Sequence, residues 1–393
     1  MKCRILASTK VGYEMPKQEA IDFSGKSAGI CYMSNSLDEL FSEPEEKTEK
    51  RALNTFAMGH HSVGQHPYFS FGLEEVPKIL AMTLNNEKIY NTSEKSARYT
   101  KMVPSEKEKP LYEKWIKIYE DEIDRVYPQV NGEDPDGKKA KARAKAVNKL
   151  AMENARYLIS VFTPATTMEY TVNFGQLNYI AHWMENFIKN EPDTPFNVKL
   201  KPVYREFVDM VSNLLVPDLN SDVKGRKLSL FANRDRMEEF GENYCVNYKG
   251  TFAQLAQAHR HRTLCYEMSI PERHEYFVPP IISGTDLEDE WLKDIQSLDS
   301  EFPQGMLLYI NERGTVENFV LKCQERLCGA AQLEIALQTK KTMERYLKST
   351  RNCNKDVYEY LLPYSKGAKC TFPGWHCAKP CVWGAKRGVD RVI

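Results

Sequence analysis

The stretch Gln257-Ala258-His259-Arg260-His261-Arg262 is the part of the sequence that decides its interpretation. Four consecutive side chains, at 259–262, are cationic or become so on protonation, and packing them together costs free energy unless anions compensate. In a helix, successive side chains point about 100° apart, so the cluster would fan out and meet a polyanion from several sides. A solvated helix end, with histidines near the negative end of the helix dipole, is the alternative. The residues alone leave both interpretations open.

A second polar cluster lies earlier in the chain, at Glu94-Lys95-Ser96-Ala97-Arg98-Tyr99. A carboxylate, a hydroxyl, a guanidinium and a phenol this close together have the donors and acceptors to bind the base, sugar and phosphate of a nucleotide. A helix cap with a surface ion pair is the alternative. This cluster is also compatible with both interpretations when it is considered singly.

The composition excludes several classes of protein. The chain has 393 residues with 54 Lys+Arg against 54 Asp+Glu, so its net charge gives no general reason to expect a nucleic-acid or membrane partner. Hydrophobic residues make up 42%, which is enough to bury cores, and the length predicts two or three domains. No apolar run approaches the roughly 18 residues of a membrane span, and the N-terminus lacks a signal-peptide pattern. We therefore expect a cytoplasmic protein.

Helical periodicity and breaks in it predict the organisation of the chain. Helices are predicted at 72–90, 106–127, 136–162, 202–215, about 251–264 and about 315–347. The Pro-, Asn- and Asp-rich stretch at 216–222 predicts a linker, and the last segment is rich in Cys, Gly, Pro and Lys. We accordingly expect three domains, at 1–220, 221–350 and 351–393.

Four of the ten cysteines lie in the last segment: Cys353, Cys370, Cys377 and Cys381. Four thiolates are able to close a tetrahedral zinc site, but their spacing does not form the paired Cys-x2-Cys knuckles of a strong zinc motif. Reduced structural thiols or a redox pair are the alternatives. We keep zinc, bound by these four cysteines, as one prediction for the tail.

Taken together, the motifs resemble the flavin-dependent thymidylate synthase family, the ThyX type. The first half carries the segments His61-Ser62-Val63-Gly64-Gln65-His66, Glu94-x-Ser96-x-Arg98-Tyr99 and Ala155-Arg156. The second half carries Gln257, Arg260-His261-Arg262 and Arg326-x4-Ala331-Gln332-x-Glu334-Ile335. The resemblance covers the chain as a tandem repeat of two family-like units.

The two halves depart from the family pattern in complementary ways. Asn86-Glu87-Lys88 stands in the first half where the family has Arg-His-Arg, so that half lacks the expected flavin-binding cations. In the second half, Cys265 replaces the signature serine and Pro271-Glu272-Arg273 occupies the Arg-Tyr region. We interpret Cys265 as a small buried cysteine on a helix and not as a nucleophile.

The resemblance implies an α+β fold: two tandem ThyX-like units with long helices packed on small antiparallel sheets, plus a small Cys-rich C-terminal tail. It implies FAD-binding roles for Arg260, His261 and Arg262, and dUMP-binding roles for a larger set. That set is Glu94, Ser96, Arg98, Tyr99, Arg156, Gln257 and Arg326. Arg326 would lie close to the pyrimidine as a catalytic cation, and His61 would lie near the flavin and the folate.

The implied reaction transfers the one-carbon unit of methylenetetrahydrofolate to dUMP, giving dTMP. Reduced FAD would supply hydride and NAD(P)H would restore it. The family builds each site from more than one subunit, so the resemblance implies a homodimer of tandem chains that imitates the family's tetramer. Two alternatives remain: flavin-dependent modification of another pyrimidine nucleotide, such as hydroxymethylation, and a non-catalytic nucleotide-binding homologue.

Overall fold

The computed structural model describes residues 1–9, 14–96, 100–129, 132, 134–220, 226–232, 236–378 and 380–393, with the backbone alone at 3–7, 32, 386 and 387. In these ranges the strands are β1 (Lys2–Ser8), β2 (Tyr68–Pro77), β3 (Tyr90–Glu94), β4 (Pro164–Asn173), β5 (Glu239–Phe240), β6 (Asn243–Thr251), β7 (Cys265–Ser269) and β8 (Leu307–Thr315). The helices of the first part of the chain are α1 (Lys17–Tyr32), α2 (Leu37–Phe41), α3 (Glu45–Ala57), α4 (Lys78–Leu84), α5 (Lys109–Val126), α6 (Lys138–Ala155), α7 (Phe174–Asn190) and α8 (Pro195–Val211). The later helices are α9 (Phe252–Ala258), α10 (Leu287–Gln296), α11 (Val316–Arg326), α12 (Leu333–Thr350), α13 (Lys355–Leu361) and α14 (Gly384–Arg387).

The chain divides into two compact units that are not contiguous in sequence. The first unit combines Met1–Lys95 with Pro164–Ser229, and the second combines Ser96–Thr163 with Leu230–Ile393. Helices α5 and α6 therefore group with the second unit, although they lie in the first half of the sequence. The domain limits at residues 220 and 350 stay predictions.

The first unit is built on a four-stranded antiparallel sheet with the order β1-β2-β4-β3. Phe69, Phe71 and Leu73 of β2 alternate onto one face and are buried, as the two-residue period of a strand requires. Helices α4 and α7 contact the sheet, and α8 packs against α4 and α7.

The second unit is also built on a four-stranded antiparallel sheet, with the order β5-β6-β8-β7. Helices α9, α11 and α12 contact this sheet. Its buried face includes Glu312, which is fully buried and accepts hydrogen bonds from Tyr244 and Tyr248 at 2.8 Å and from Lys322 at 2.5 Å. Full pairing is what allows a carboxylate to lie inside a core.

The α+β class, with helices packed on small antiparallel sheets, is confirmed. Several of the predicted helices differ from the observed ones in their bounds. Residues 72–77 belong to strand β2, which stays paired with β4 as far as Pro77 although its register shifts after Leu73. The helix predicted at 315–347 is two helices, α11 and α12, separated by a loop around Gly329.

Among the described helices, none combines the length and the apolar composition that a membrane span requires.

Candidate functional site

Helix α9 ends at the cationic cluster of the second unit. The Thr251 hydroxyl caps its N-terminus by accepting from Gln254 N at 3.0 Å, and the helix ends at Ala258. A turn follows, in which His261 N donates to Ala258 O, and strand β7 begins at Cys265. The helix predicted at 251–264 is therefore shorter, and Cys265 lies on a strand, half-buried, instead of in a helix.

The structure brings together two motifs that lie 65 residues apart in sequence. Arg326, the last residue of α11, donates from Nε to His261 Nε2 at 2.7 Å and from Nη2 to the Gln257 carbonyl at 3.1 Å. Because a guanidinium only donates, His261 Nε2 must be unprotonated. Burial, and then the charges of Arg326 and Lys322, hold the pKa of His261 well below its ordinary value. His261 is therefore a neutral acceptor that orients Arg326.

The two arginines of the cluster differ from His261 in their surroundings. Arg260 is half-buried and Arg262 is exposed, whereas the His261 side chain is buried. Gln257 Nε2 is buried and has no hydrogen-bond partner among the described residues. A buried donor without a partner costs about 1–3 kcal/mol, which a ligand acceptor would recover.

A cavity of about 570 Å³ lies beside the cationic cluster, in the second unit. Six of the residues that line it are Arg236, Cys245, Thr263, Cys265, Arg313 and Asn318. Cys245 of β6 and Cys265 of β7 are both in register with Arg313 of β8, so the three side chains form a row across the sheet. The cavity therefore presents thiols and a guanidinium on one wall.

Glu267 is shared by the two arginines of this cavity. Its Oε1 accepts from Arg236 Nη2 at 2.9 Å and from Arg313 Nη2 at 3.0 Å. Burial alone would raise the pKa of Glu267, but the bonds and charges of the two arginines outweigh it and hold the pKa below its ordinary value. One carboxylate against two guanidiniums leaves a local positive excess, which suits a phosphate-bearing ligand. Arg236 and Arg313 belong to no motif, so sequence reasoning missed them.

Arg156 lies in the second unit and is 5% exposed. Its Nε and Nη2 have no hydrogen-bond partner among the described residues, and its guanidinium lies 5.9 Å from the centroid of the Tyr157 ring. A buried cation is costly unless it is paired, so this arrangement is typical of a group that receives an anionic ligand. The geometry fits the predicted phosphate-binding role.

A network of hydrogen bonds connects Tyr157 to the start of α9. Glu334 accepts from the Tyr157 hydroxyl at 2.8 Å, from Thr251 N at 2.9 Å and from the Thr251 hydroxyl at 2.8 Å. Gln332 Nε2 donates to the same Tyr157 hydroxyl at 2.5 Å. The Ala331-Gln332-x-Glu334-Ile335 motif thus ties the residue after Arg156 to the helix that carries Gln257.

Glu94 ends strand β3 in the first unit, with its side chain 4% exposed. Its Oε1 accepts from Lys78 Nζ at 2.5 Å and from the Thr166 hydroxyl at 3.4 Å. Ser96 is half-buried, and its carbonyl accepts from Thr100. Arg98 and Tyr99, which were also predicted to bind the nucleotide, lie outside the described residues.

His61 lies in the core of the first unit and is 1% exposed. Its Nε2 bonds to the Phe56 carbonyl at 2.9 Å and its Nδ1 to the Tyr179 hydroxyl at 2.7 Å. Because a carbonyl only accepts, Nε2 carries the proton and the tyrosine donates to Nδ1 in the neutral ring. Both ring nitrogens are thus engaged inside the protein, and the predicted contact of His61 with a flavin has no support from this geometry.

The residues that replace Arg-His-Arg in the first half are engaged within the first unit. Asn86 Nδ2 donates to the Ser229 hydroxyl at 2.7 Å, and Glu87 Oε1 accepts from Ser229 N at 2.5 Å and from its hydroxyl at 2.9 Å. Burial raises the pKa of Glu87 to about 7, although the Ser229 bonds oppose the shift. This position holds a weakly acidic carboxyl group, so it is unsuited to bind a diphosphate.

The four tail cysteines are not brought together as a ligand set. Among the described residues there is no group of three or more His, Cys, Asp or Glu side chains that could hold a metal ion. Cys353, Cys370 and Cys377 are exposed, while Cys381 is half-buried against Gly329. The zinc prediction therefore has no structural support here.

The fold and these contacts define an α+β protein with buried cationic side chains in its second unit. Residues 17–184 match the family Thy1, described as thymidylate synthase complementing protein. This matched segment is less than half of the chain, and it is similar to the family that the motifs resemble. A comparison with curated proteins gave no significant match.

Among solved structures, ThyX from Helicobacter pylori complexed with FAD and dUMP is 15% identical, with 55% of this chain and 94% of that chain covered and a TM-score of 0.31. The UMP/dUMP methylase PolB from Streptomyces cacaoi, bound with 5-Br dUMP, is 13% identical, with 56% and 92% covered and a TM-score of 0.33.

Proposed function

We propose that this protein is a flavin-dependent thymidylate synthase that converts dUMP to dTMP, with methylenetetrahydrofolate as the one-carbon donor. The observation that carries the proposal is the pairing of Arg326 with His261 at 2.7 Å, together with its bond to the Gln257 carbonyl. Two motif segments of the second half, distant in sequence, thus meet through side chains whose chemistry the reaction needs. The family match to residues 17–184 supports the same proposal for the other half of the motifs.

The residues fit a phosphate-bearing cofactor and an anionic nucleotide. Arg260 and Arg262 would hold FAD by charge-assisted bonds, and the cavity beside Thr263 offers room and positive charge for a dinucleotide. Arg156 would bind the dUMP phosphate, because its buried guanidinium has donors without partners among the described residues. Gln257 would contribute its Nε2 to the nucleotide.

The flavin, when bound, supplies the hydride chemistry, which no side chain performs. The protein would bind and orient the ligands and would place positive charge in the site. Arg326, fixed by the neutral His261, would place a positive charge where negative charge develops on the pyrimidine. NAD(P)H as reductant, a cytoplasmic location and a homodimer of tandem chains belong to this proposal as predictions from the resemblance.

The tandem arrangement is supported by the topology of the two sheets. Each sheet has four antiparallel strands, and each has the same order when its strands are numbered along the chain, β1-β2-β4-β3 and β5-β6-β8-β7. In each sheet the second strand leads directly into a short helix, α4 or α9, and the fourth into a longer one, α7 or α11. We propose that the chain is a duplication of one ThyX-like unit.

The experiment that tests the proposed function measures FAD binding first and product second. Titration of the purified protein with FAD, followed by flavin absorbance and fluorescence, should give micromolar or tighter binding. Incubation with dUMP, methylenetetrahydrofolate, NAD(P)H and FAD should then give a nucleotide that mass spectrometry identifies as dTMP. Failure of FAD to bind at micromolar concentration would contradict the proposal that the protein is a flavin-dependent enzyme.

Arg262→Ala should weaken FAD binding by about 1.5–3 kcal/mol, roughly 10- to 150-fold, if its guanidinium makes a charge-assisted bond. Lys145→Ala is the matched control, because it removes one positive charge from an exposed position of the same unit. It should leave the dissociation constant unchanged.

The chemical identity of the product distinguishes the proposed function from its two alternatives. A hydroxymethylated nucleotide, or turnover of another pyrimidine nucleotide, would favour the altered-chemistry alternative. Nucleotide binding without turnover in the presence of bound FAD would favour the non-catalytic one. Zinc is not part of the proposed mechanism.

A further inference from the structure

The loop between α11 and α12, residues 327–332, joins Arg326 to Gln332. Helix α11 ends at Arg326, and Gln332 caps α12 by accepting from Ile335 N at 3.3 Å. The side chains at the two ends of the loop are thus both part of the candidate site. Backbone carbonyls beyond a helix C-terminus need partners from elsewhere, because the helix no longer satisfies them.

Those partners come from the C-terminal segment, residues 351–393. Lys369 N donates to the Leu327 carbonyl at 2.6 Å. Arg391, which is 8% exposed, donates to the Cys328 carbonyl at 3.4 Å and to the Ala331 carbonyl at 2.5 Å. It also donates to the carbonyl of Gly388 within its own segment. One guanidinium therefore bridges the loop that follows Arg326.

The same segment packs against the middle of the loop. A Cβ on Gly329 would lie 2.7 Å from Cys381 Sγ and 2.8 Å from Trp383 Cδ1, so a glycine is needed for this approach. The Trp383 ring in turn packs edge-on against Tyr127, with centroids 5.5 Å apart. The loop is held from its middle as well as from its ends.

The C-terminal segment has apolar anchors of its own. Its buried side chains, each 5% exposed or less, are Val357, Leu361, Ala368, Phe372, Val389 and Ile393. Burial of several apolar side chains stabilises the docked position by more than the loop hydrogen bonds alone. The segment is therefore a fixed support and not a loosely attached extension.

We propose that the C-terminal segment is a positioning element for Arg326, with Arg391 as the positioning residue. The last turn of a helix frays readily, and a guanidinium at that point keeps a defined place only if the following chain is fixed. A site group must be held within about 0.5 Å of its productive position. The loop bonds of Arg391 hold the chain directly after Arg326 and so keep its Nε against His261. The catalytic consequence rests on the proposed function, whereas the structural consequence does not.

The test uses Arg391→Ala in the full chain, with two readouts. The first is the 15N signal of His261 Nε2, assigned by its loss in His261→Gln. In Arg391→Ala this signal should move towards its position in Arg326→Ala, because the Arg326 bond is weakened in both. This readout needs neither FAD nor turnover, so it stands even if the proposed function fails.

The second readout is turnover of dUMP in a double-mutant cycle. Arg391→Ala should lower kcat at least tenfold in the native background and should have little further effect in Arg326→Ala, because it acts through that residue. Lys340→Ala is the control: it removes the exposed ion pair between α12 and Asp390, and it leaves the loop bonds in place. It should change neither readout.

Gly329→Ala is the second variant, for the case that Arg391→Ala does not fold. Its added methyl group crowds Cys381 and Trp383 while Arg391 is retained, and it should shift the His261 signal in the same direction. An unchanged His261 signal in a folded variant, or additive losses of kcat in the cycle, would overturn the proposal.

Discussion

The Tyr157 hydroxyl donates to Glu334 Oε2 at 2.8 Å, although the two residues lie 177 positions apart in the chain. The same carboxyl group accepts two bonds from Thr251, the residue that caps α9. Through one buried side chain, the segment that carries Arg156 and the helix that carries Gln257 are fixed to α12. The position of two predicted nucleotide-binding residues thus depends on a residue that touches neither.

We expect Glu334→Ala to destabilise the protein by about 3 kcal/mol or more. The change leaves the Tyr157 hydroxyl and both Thr251 donors without an acceptor in a buried place, and each such group costs about 1–3 kcal/mol. Urea unfolding measures the difference. Glu344→Ala, at an exposed position of the same helix, should stay within about 0.5 kcal/mol of the native protein. A loss no larger than that of this control would contradict the role of the network.

The buried ion pair of Lys322 and Glu312 gives a second prediction. Both side chains are fully buried, so Lys322→Met should cost about 3–5 kcal/mol by leaving Glu312 with the two tyrosines alone. Adding Glu312→Gln should recover most of the loss, because no uncompensated charge then remains. Urea unfolding of both variants gives the comparison. If the double variant is no more stable than the single one, the loss has another cause than the unpaired charge.

The motifs select His261 and Arg326 from the sequence as separate site residues, one for FAD and one for the nucleotide. They do not predict the contact between the two side chains, which only the structure reveals. Arg236 and Arg313 were not predicted because they belong to no motif, and each becomes relevant only through the Glu267 carboxylate, which accepts from both. The chain must fold to form this cluster, because Glu267 and Arg313 lie on the paired strands β7 and β8 and Arg236 lies before β5.

The helix predicted at 315–347 also differs from the structure for a reason that lies outside the local sequence pattern. Residues 315–347 keep a helical period on both sides of Gly329, so periodicity alone predicts one helix. The structure ends α11 at Arg326, and in the loop that follows Cys381 and Trp383 occupy the space that a side chain at 329 would need. The predicted ligand-binding role of His61 rests on its motif alone and stays a prediction. Its bonds to the Phe56 carbonyl and the Tyr179 hydroxyl, which place it in a core, are contacts that the sequence does not reveal.

The raised pKa of Glu87 predicts how the free energy of unfolding depends on pH. Its pKa is raised from 4.5 to about 7 by burial, so the folded protein binds its proton more tightly than the unfolded chain does. The contribution of this carboxyl group to the free energy of unfolding is fully present below about pH 4.5. It decreases as the pH rises towards 7 and is lost above that. The total is on the order of 3 kcal/mol, since each tenfold change in proton affinity is worth about 1.4 kcal/mol.

Glu87→Gln should remove this dependence, because the amide oxygen still accepts from Ser229 and carries no charge at any pH. Urea unfolding at several pH values between 4.5 and 8 measures the slope. The exposed Glu74→Gln serves as the control and should keep the native slope. A Glu87→Gln protein with an unchanged slope would show that another group titrates in this range.

A substitution at Arg156 should weaken ligand binding without lowering the stability of the folded protein. Its guanidinium is buried, and Nε and Nη2 have no partner among the described residues, so the free protein gains little from it. Arg156→Met keeps a similar volume and removes the charge. The variant should therefore be as stable as the native protein or more stable, by about 1–2 kcal/mol.

The same variant should bind dUMP about 10- to 150-fold more weakly, which corresponds to one lost charge-assisted bond of about 1.5–3 kcal/mol. Deoxyuridine, which has no phosphate, should bind the native and variant proteins equally, because Arg156 is expected to contact only the phosphate. Calorimetric titration of both ligands gives these values, with the exposed Arg125→Ala as a control for the loss of one positive charge. Equal weakening for dUMP and deoxyuridine would place Arg156 against the base or sugar. A variant that is several kcal/mol less stable and still binds dUMP normally would make Arg156 a structural residue.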